Sequence, residues 1–278
     1  MLGISLMLLA TLCYNVSIIL LTVAARAESK IQDRLSLTAH VVERASGGGS
    51  VGLGIVGWIF ELAALTKISV TLARVIYAAG FGLMLMLARW RLGERPQRRE
   101  AAGILAIALG IVGVGATSPS VSKATPGVFG WVILTIVIIP TIFLPGMLQR
   151  LLGSPAAYLS AIGAGLGYAA SSLYTKGVSD LLSVRTLIPL GLLTIAAGVT
   201  SLVAFSDQIR ALQGGRATAI IPLVAGLEAI VPIIIASLFF GEKWPVAMSG
   251  RCLLGGGIAL ATAGMIILAY SSAHVVSG

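Results

Sequence analysis

Long apolar runs, separated by short polar segments, follow one another along almost the whole chain. A helix that spans a membrane needs about 20 mostly apolar residues, and the runs predict nine such helices. Their predicted bounds are 2–24, 51–66, 68–90, 101–118, 127–148, 155–177, 186–212, 216–240 and 252–271. The predicted fold is therefore an all-α polytopic membrane protein with nine transmembrane helices.

Most connections between these segments are short. The exception is the polar stretch 26–50, which is predicted to be the one sizeable soluble loop. Its end, Ser46-Gly47-Gly48-Gly49-Ser50, is typical of a flexible linker. The second and third segments form a tight hairpin around Lys67, and two prolines, Pro140 and Pro145, predict a kink in the fifth.

The first segment has an alternative interpretation as a secretory signal peptide, because Ala25-Arg26-Ala27 resembles a cleavage site. Its first ten residues contain no Lys or Arg, whereas signal peptides begin with positive charge. The segment is therefore interpreted as a spanning helix.

Composition excludes a soluble fold. Hydrophobic residues make up 57% of the chain, charged residues 10%, and the mean hydropathy is +1.01. The net charge of +9 does not indicate nucleic-acid binding, because the basic residues lie in short loops between apolar runs. Lipid is the predicted partner.

The basic residues also predict the orientation. Twelve of the nineteen Lys and Arg residues fall on one side of a nine-helix layout and six on the other, with Arg74 inside a helix. The positive-inside rule then places the N-terminus outside and the C-terminus in the cytoplasm, in the plasma membrane or bacterial inner membrane.

Three landmarks occur twice in the same order. Ala10-x-Leu12-x-Tyr14-x-x-Ser17 matches Ala164-x-Leu166-x-Tyr168-x-x-Ser171, Ala64-Leu65 matches Ala211-Leu212, and Leu92-Gly93-Glu94-Arg95 matches Phe240-Gly241-Glu242-Lys243. They predict a first repeat over 1–118 with four helices and the loop 26–50, a connecting helix within 119–154, and a second four-helix repeat over 155–278. With one odd helix between them, the repeats run in opposite directions, as is common in secondary transporters.

At these residues the chain resembles the EamA-like branch of the drug/metabolite transporter superfamily. The hairpin Ala64–Ala73 and the run Leu92-Gly93-Glu94 followed by Gly103 and Gly110 are similar to that family's motifs. In the second repeat the glycine that corresponds to Gly103 is Gly250 or Gly257. The nine-helix layout, with Thr125-Pro126-Gly127, Tyr174-Thr175-Lys176-Gly177 and Phe240-Gly241-Glu242-Lys243-Trp244, is more similar to the NIPA-type magnesium transporters.

Charged residues inside spanning segments are costly and are candidates for function. Glu61 and Arg74 lie on either side of Lys67, so they reach similar depths on adjacent helices and can form an ion pair. That pair is either a structural clasp or part of a substrate or proton site. Glu228 falls near the middle of its helix with no obvious local cation, which suits proton coupling or cation binding.

Uncharged polar residues on the first and sixth helices are further candidates for lining a cavity, or for hydrogen bonding between helices. They are Tyr14, Asn15, Ser17, Tyr168, Ser171, Ser172 and Tyr174. Gly163 and Gly167 are spaced for close helix packing. Cys13 and Cys252 are interpreted as small buried apolar residues, and no metal-ligand pattern or cofactor motif accompanies them.

The predicted function is transport of a small organic metabolite or an amphipathic compound by alternating access, with protons as a candidate coupling ion. The alternative is a magnesium transporter with Glu61 and Glu228 as ligands, since Mg²⁺ prefers carboxylate oxygens. The sequence contains no catalytic motif, so a membrane-embedded enzyme is a remote alternative. The sequence leaves the oligomeric state open.

Overall fold

The computed structural model describes residues 2–28, 31, 34–68, 70–117, 126–152, 157–181, 187–239, 245 and 247–273. These residues form eleven α-helices. In chain order they are α1 (Leu2–Ala27), α2 (Arg34–Glu43), α3 (Ala45–Leu65), α4 (Val70–Ala79), α5 (Phe81–Leu92), α6 (Arg98–Ala116), α7 (Val128–Leu152), α8 (Ala157–Leu181), α9 (Leu187–Gly214), α10 (Ala217–Phe239) and α11 (Met248–Ala273). Thr125 and residues 240–244 of the predicted motifs lie outside this range. So does Ser120, which the nine-helix layout places in the outer loop between the fourth and fifth spans.

Eight stretches in these helices are long and apolar enough to cross a membrane. The outward faces of these stretches carry large apolar side chains, including Phe129 and Ile188, each more than 70% exposed. Exposure of this kind requires a lipid solvent. The chain is an integral, multi-pass, all-helical membrane protein in contact with the bilayer.

Of the nine predicted spans, only that of α8 is missing from these eight. Helix α8 is rich in Gly, Ala and Ser, and most of its residues are buried. It contacts α3, α7, α9, α10 and α11, so protein surrounds it on most sides. A helix in this position needs small residues for close packing more than it needs an apolar outer face. Gly167, for example, faces Ala204 of α9 so closely that a Cβ atom would lie 2.8 Å from the Ala204 side chain.

The prediction of a flexible linker at 46–50 is wrong. Helix α3 begins at Ala45, and the short helix α2 precedes it. The small residues serve packing between helices: Ser17 of α1 donates a hydrogen bond of 2.8 Å to the Ser50 carbonyl. A Cβ atom on Gly47 would collide with the carbonyl oxygen of Val41 in α2. Glycine is common where helices approach closely in membranes, which a linker interpretation overlooks.

The predicted third span is divided into α4 and α5 at Gly80, where the backbone stays in the helical region. Gly80 faces α1, and a Cβ atom there would lie 2.5 Å from Thr11 and 2.7 Å from the Asn15 amide. The predicted fifth span is helical throughout α7, with Pro140 and Pro145 inside it.

Helices α6 and α11 are antiparallel and touch backbone to backbone at two levels. A Cβ atom on Gly110 would lie 2.5 Å from the Gly257 carbonyl oxygen, and one on Gly264 would lie 2.5 Å from the Gly103 carbonyl oxygen. Gly103 and Gly110, which follow Glu94 in the sequence, therefore face Gly264 and Gly257 of the second half. The partner of Gly110 in this contact is Gly257 and not Gly250.

Candidate functional site

The side chain of Arg74 in α4 is completely buried near the centre of the bundle. Its Nη2 donates to Glu61 Oε1 at 2.6 Å and to Ser172 Oγ at 2.5 Å, and its Nη1 donates to Glu228 Oε1 at 3.0 Å. These partners lie on α3, α8 and α10. One guanidinium group therefore joins four helices, because its planar fork of donors can reach several acceptors at once.

Glu61 is almost fully buried and uses both carboxylate oxygens. Besides the contact with Arg74, its Oε2 accepts a hydrogen bond of 2.7 Å from the Tyr14 hydroxyl of α1. The predicted ion pair between Glu61 and Arg74 is confirmed. Tyr14, Glu61, Arg74, Ser172 and Glu228 are called the central cluster below.

Glu228 has no cation close to it in the sequence, as expected, but it is not isolated in the fold. Its carboxylate binds Arg74, which is 154 positions earlier in the chain and therefore not a local neighbour. The Glu228 side chain keeps 13% of its surface exposed, whereas that of Arg74 keeps none. Glu228 is therefore the more exposed of the two acids in the central cluster, since the Glu61 side chain keeps 5%.

The ionised central cluster has unbalanced charge. Two carboxylates face one guanidinium, so its net charge is −1 when all three groups are ionised. Burying uncompensated charge is costly in a medium of low dielectric constant. A proton or another cation at the cluster removes this cost. In addition, Arg74 Nε has no hydrogen-bond partner among the described residues.

The other predicted polar residues mostly join helices. Asn15 donates to the carbonyl of Thr11 in its own helix. Ser171 contacts Ser201 of α9 at 2.8 Å, and the Tyr174 hydroxyl lies 2.9 Å from Thr135 of α7. These residues, together with Ser17 at its contact with Ser50, do not belong to the central cluster.

Tyr168 contacts a neighbouring helix and also lies beside the central cluster. Its hydroxyl donates to Gln208 of α9 at 2.8 Å, and its phenol lies in the neighbourhood of Glu228. Tyr77, which sequence reasoning missed, also lies in the neighbourhood of Glu228 and packs edge-on against Tyr14 with ring centroids 6.0 Å apart. Tyr77 is three residues after Arg74, and this spacing places both on one face of α4.

A second group of charged residues lies at the bundle end where α1 finishes. Arg26 of α1 forms an ion pair with Glu94, which follows α5, and Glu94 Oε2 accepts the backbone N–H of Thr218 at 3.0 Å. Arg216 Nε lies 3.4 Å from Glu100, whose Oε2 also accepts the Thr218 hydroxyl at 3.1 Å. Arg26, Glu94, Glu100, Arg216 and Thr218 are called the end cluster below.

Glu94 is held ionised by its surroundings. Partial burial raises its pKa, but the hydrogen bond from Arg26 and the N–H groups of Thr218 and Ala217 outweigh burial, so the pKa is lowered from the ordinary value of 4.5. The two N–H groups belong to the first turn of α10. The carboxylate therefore caps that helix, where negative charge is favourable.

The structure also places the paired glycines of α8 and the two cysteines. Gly163 and Gly167 lie at the contact of α8 with α9, as expected. Cys252 is exposed on the outside of α11, and only Cys13 is partly buried, so the prediction of two buried thiols is wrong for Cys252.

Among the described residues, no three His, Cys, Asp or Glu side chains come together as a metal site would require. Comparison with family models, with curated proteins and with solved structures finds no match for this chain.

Proposed function

We propose that this protein is a secondary transporter that moves a small organic metabolite or amphipathic compound by alternating access. The observation that carries the proposal is the buried Arg74, which binds one carboxylate from each half of the chain. Intramembrane ionisable residues usually mark transport or proton pathways. The central cluster is the proposed substrate or coupling site.

The proposed topology has nine crossings, with α8 as the sixth and α4 and α5 together as the third. The first proposed repeat consists of α1, α3, α4–α5 and α6. The second consists of α8 to α11, and α7 connects the two. Contacts between helices support this: α1 packs on α3 as α8 packs on α9, and α1 meets α9 as α3 meets α8. In an inverted repeat such paired contacts surround one central site.

In the proposed orientation the N-terminus is outside, and the end cluster faces the cytoplasm. The proposed family is the drug/metabolite transporter superfamily in its EamA-like branch. This assignment rests on the duplicated motifs of the sequence.

Proton coupling is proposed from the charge of the central cluster. Protonation of Glu228 would bring the net charge from −1 to zero and weaken its contact with Arg74. A proton and a cationic solute would then compete for the same carboxylate, which links their movements.

Magnesium transport is the second candidate. Both acids that would bind Mg²⁺ already bind Arg74, so the ion would have to displace a guanidinium from each. Magnesium also dehydrates reluctantly. These contacts favour the organic solute. A membrane-embedded enzyme stays the remote alternative.

The proposal is tested with purified protein in proteoliposomes that contain the pH indicator pyranine. Ethidium, tetraphenylphosphonium, L-phenylalanine, L-threonine and Mg²⁺ are added outside, and the internal pH and membrane current are recorded. We expect an organic compound to give a signal that Glu228→Gln abolishes. Signals from Mg²⁺ alone would establish the second candidate, and the absence of any signal would overturn the transport proposal.

A further inference from the structure

We propose that the end cluster is the gate on the membrane side where α1 ends, and that Glu94 closes this gate by capping α10. The inference rests on the proposed function, because a gate has meaning only in a transporter. Glu94 is a positioning residue here, since it acts on α10 and does not touch the solute.

Helix α10 is buried over its whole length between this end and the central cluster. Every residue of α10 from Ala217 to Gly226 is buried, and partly exposed positions begin at Leu227 and Glu228. Gly226 also packs so tightly that a Cβ atom would lie 3.0 Å from Met265 of α11. In the proposed gate, this packing of α10 is the closed conformation towards the end cluster.

Polar contacts hold this closure. Glu94 accepts hydrogen bonds from two backbone N–H groups of α10, at 3.3 Å from Ala217 and 3.0 Å from Thr218. Arg26 binds the same carboxylate and lies 3.4 Å from the carbonyl oxygen of Gly215. Water can replace such contacts when they break, so the loss of these polar contacts costs less free energy than the exposure of apolar packing does.

The same two parts of the chain meet at both clusters. Arg74 and Glu94 lie on or directly after the continuous stretch α4–α5, whereas Thr218 and Glu228 both lie on α10. Ten residues separate Thr218 from Glu228, which corresponds to about 15 Å along a helix. Helix α10 is therefore attached to α4–α5 at both depths, and Pro222 lies inside the helix between the two attachments.

The test places single cysteines at each of positions 219–226, in a protein in which Cys13 and Cys252 are replaced by Ala. The probe is the impermeant reagent 2-(trimethylammonium)ethyl methanethiosulfonate, applied to right-side-out and to inside-out vesicles. A cysteine at the exposed Arg99 marks the vesicle face that carries the end cluster.

With Glu94→Gln added, we expect labelling to accelerate about tenfold or more at positions on one face of α10, which corresponds to roughly 1.4 kcal/mol. The acceleration should occur only from the face on which Arg99→Cys is labelled. Glu28→Gln is the matched control, since its ion pair with Arg44 lies at the same end without touching α10. It should leave all rates unchanged.

Unchanged rates in Glu94→Gln would overturn the gate, and so would equal acceleration from both faces, which indicates general loosening. Glu94→Asp, which keeps the charge, should restore slow labelling at least in part. The labelling needs no solute. Unchanged labelling rates would therefore leave the transport proposal intact. If labelling accelerates as expected but no solute gives a signal in proteoliposomes, the closing role of Glu94 is supported and the transport proposal is not.

Discussion

Arg74 Nη1 lies 3.0 Å from Glu228 Oε1, and this contact connects the two halves of the chain at the centre of the bundle. The same guanidinium binds Glu61, so each acid changes the environment of the other through Arg74. Substitutions at these residues are therefore expected to have coupled effects.

Glu228→Gln should leave the protein folded and abolish proton-linked transport. The amide keeps the shape of the side chain and brings the ionised cluster to zero net charge, but it cannot release a proton. Unfolding temperature in detergent and solute-driven pH change in proteoliposomes are the measurements. Glu43→Gln, at an exposed position on α2, is the control and should behave as wild type. Full activity of Glu228→Gln would remove this acid from the mechanism.

Arg74→Gln should be the most destabilising single change in the central cluster. It leaves two buried carboxylates without their cation, and breaking a buried ion pair costs about 3–5 kcal/mol. Adding Glu61→Gln should recover part of the loss, because one uncompensated charge disappears. The free energies of unfolding of the four proteins in this cycle give the coupling energy. Additive effects would contradict the pairing.

Glu94 should make stability depend on pH in the acidic range. Its pKa is lowered in the folded protein, so its contribution is fully present above the ordinary value of 4.5 and is lost as pH falls through the folded pKa. The difference in unfolding temperature between wild type and Glu94→Gln should be constant above pH 4.5 and shrink below it. A difference that grows on acidification would contradict the role of Glu94.

Gly110→Ala should destabilise the contact of α6 with α11 by about 1–3 kcal/mol, because the new Cβ atom has no room beside the backbone of Gly257. Gly113→Ala is the control on the same helix, since its Cβ atom would have its nearest neighbour at an ordinary 3.7 Å. Thermal unfolding in one detergent compares the two. Equal stability of both variants would show that the backbones can separate without cost.

The topology predicts the labelling of two surface positions. In intact cells, a cysteine at the exposed Lys67 should react with an impermeant thiol reagent, whereas one at Arg99 should not. The background is again the protein without Cys13 and Cys252. The reverse pattern would contradict the proposed orientation.

The sequence predicts the pair of Glu61 and Arg74 because the two residues are close in the chain and a short turn makes their helices adjacent. It does not predict the contact between Arg74 and Glu228, because nothing in the apolar pattern of α10 states which helix faces it. Contacts between distant segments depend on side-chain packing that periodicity alone does not define.

Small residues explain most of the other differences between the predicted and the observed helices. Ser46 to Ser50 were expected to form a linker because Gly and Ser are common in flexible segments. In a membrane the same residues allow helices to approach closely, and here they form the beginning of α3. Helix α8 shows the same effect, since its low hydropathy reflects protein neighbours on most sides.

The glycine contacts between α6 and α11 also determine how this protein can be stabilised for purification. Replacing helical glycine by alanine is a common way to raise stability, because alanine restricts the unfolded chain. Gly103, Gly110, Gly257 and Gly264 are unsuitable for it, since their backbones touch. Gly146, Gly191 and Gly198 have open space where the Cβ atom would lie. A thermostabilised variant should therefore begin with those three positions and leave the joint of α6 and α11 unchanged.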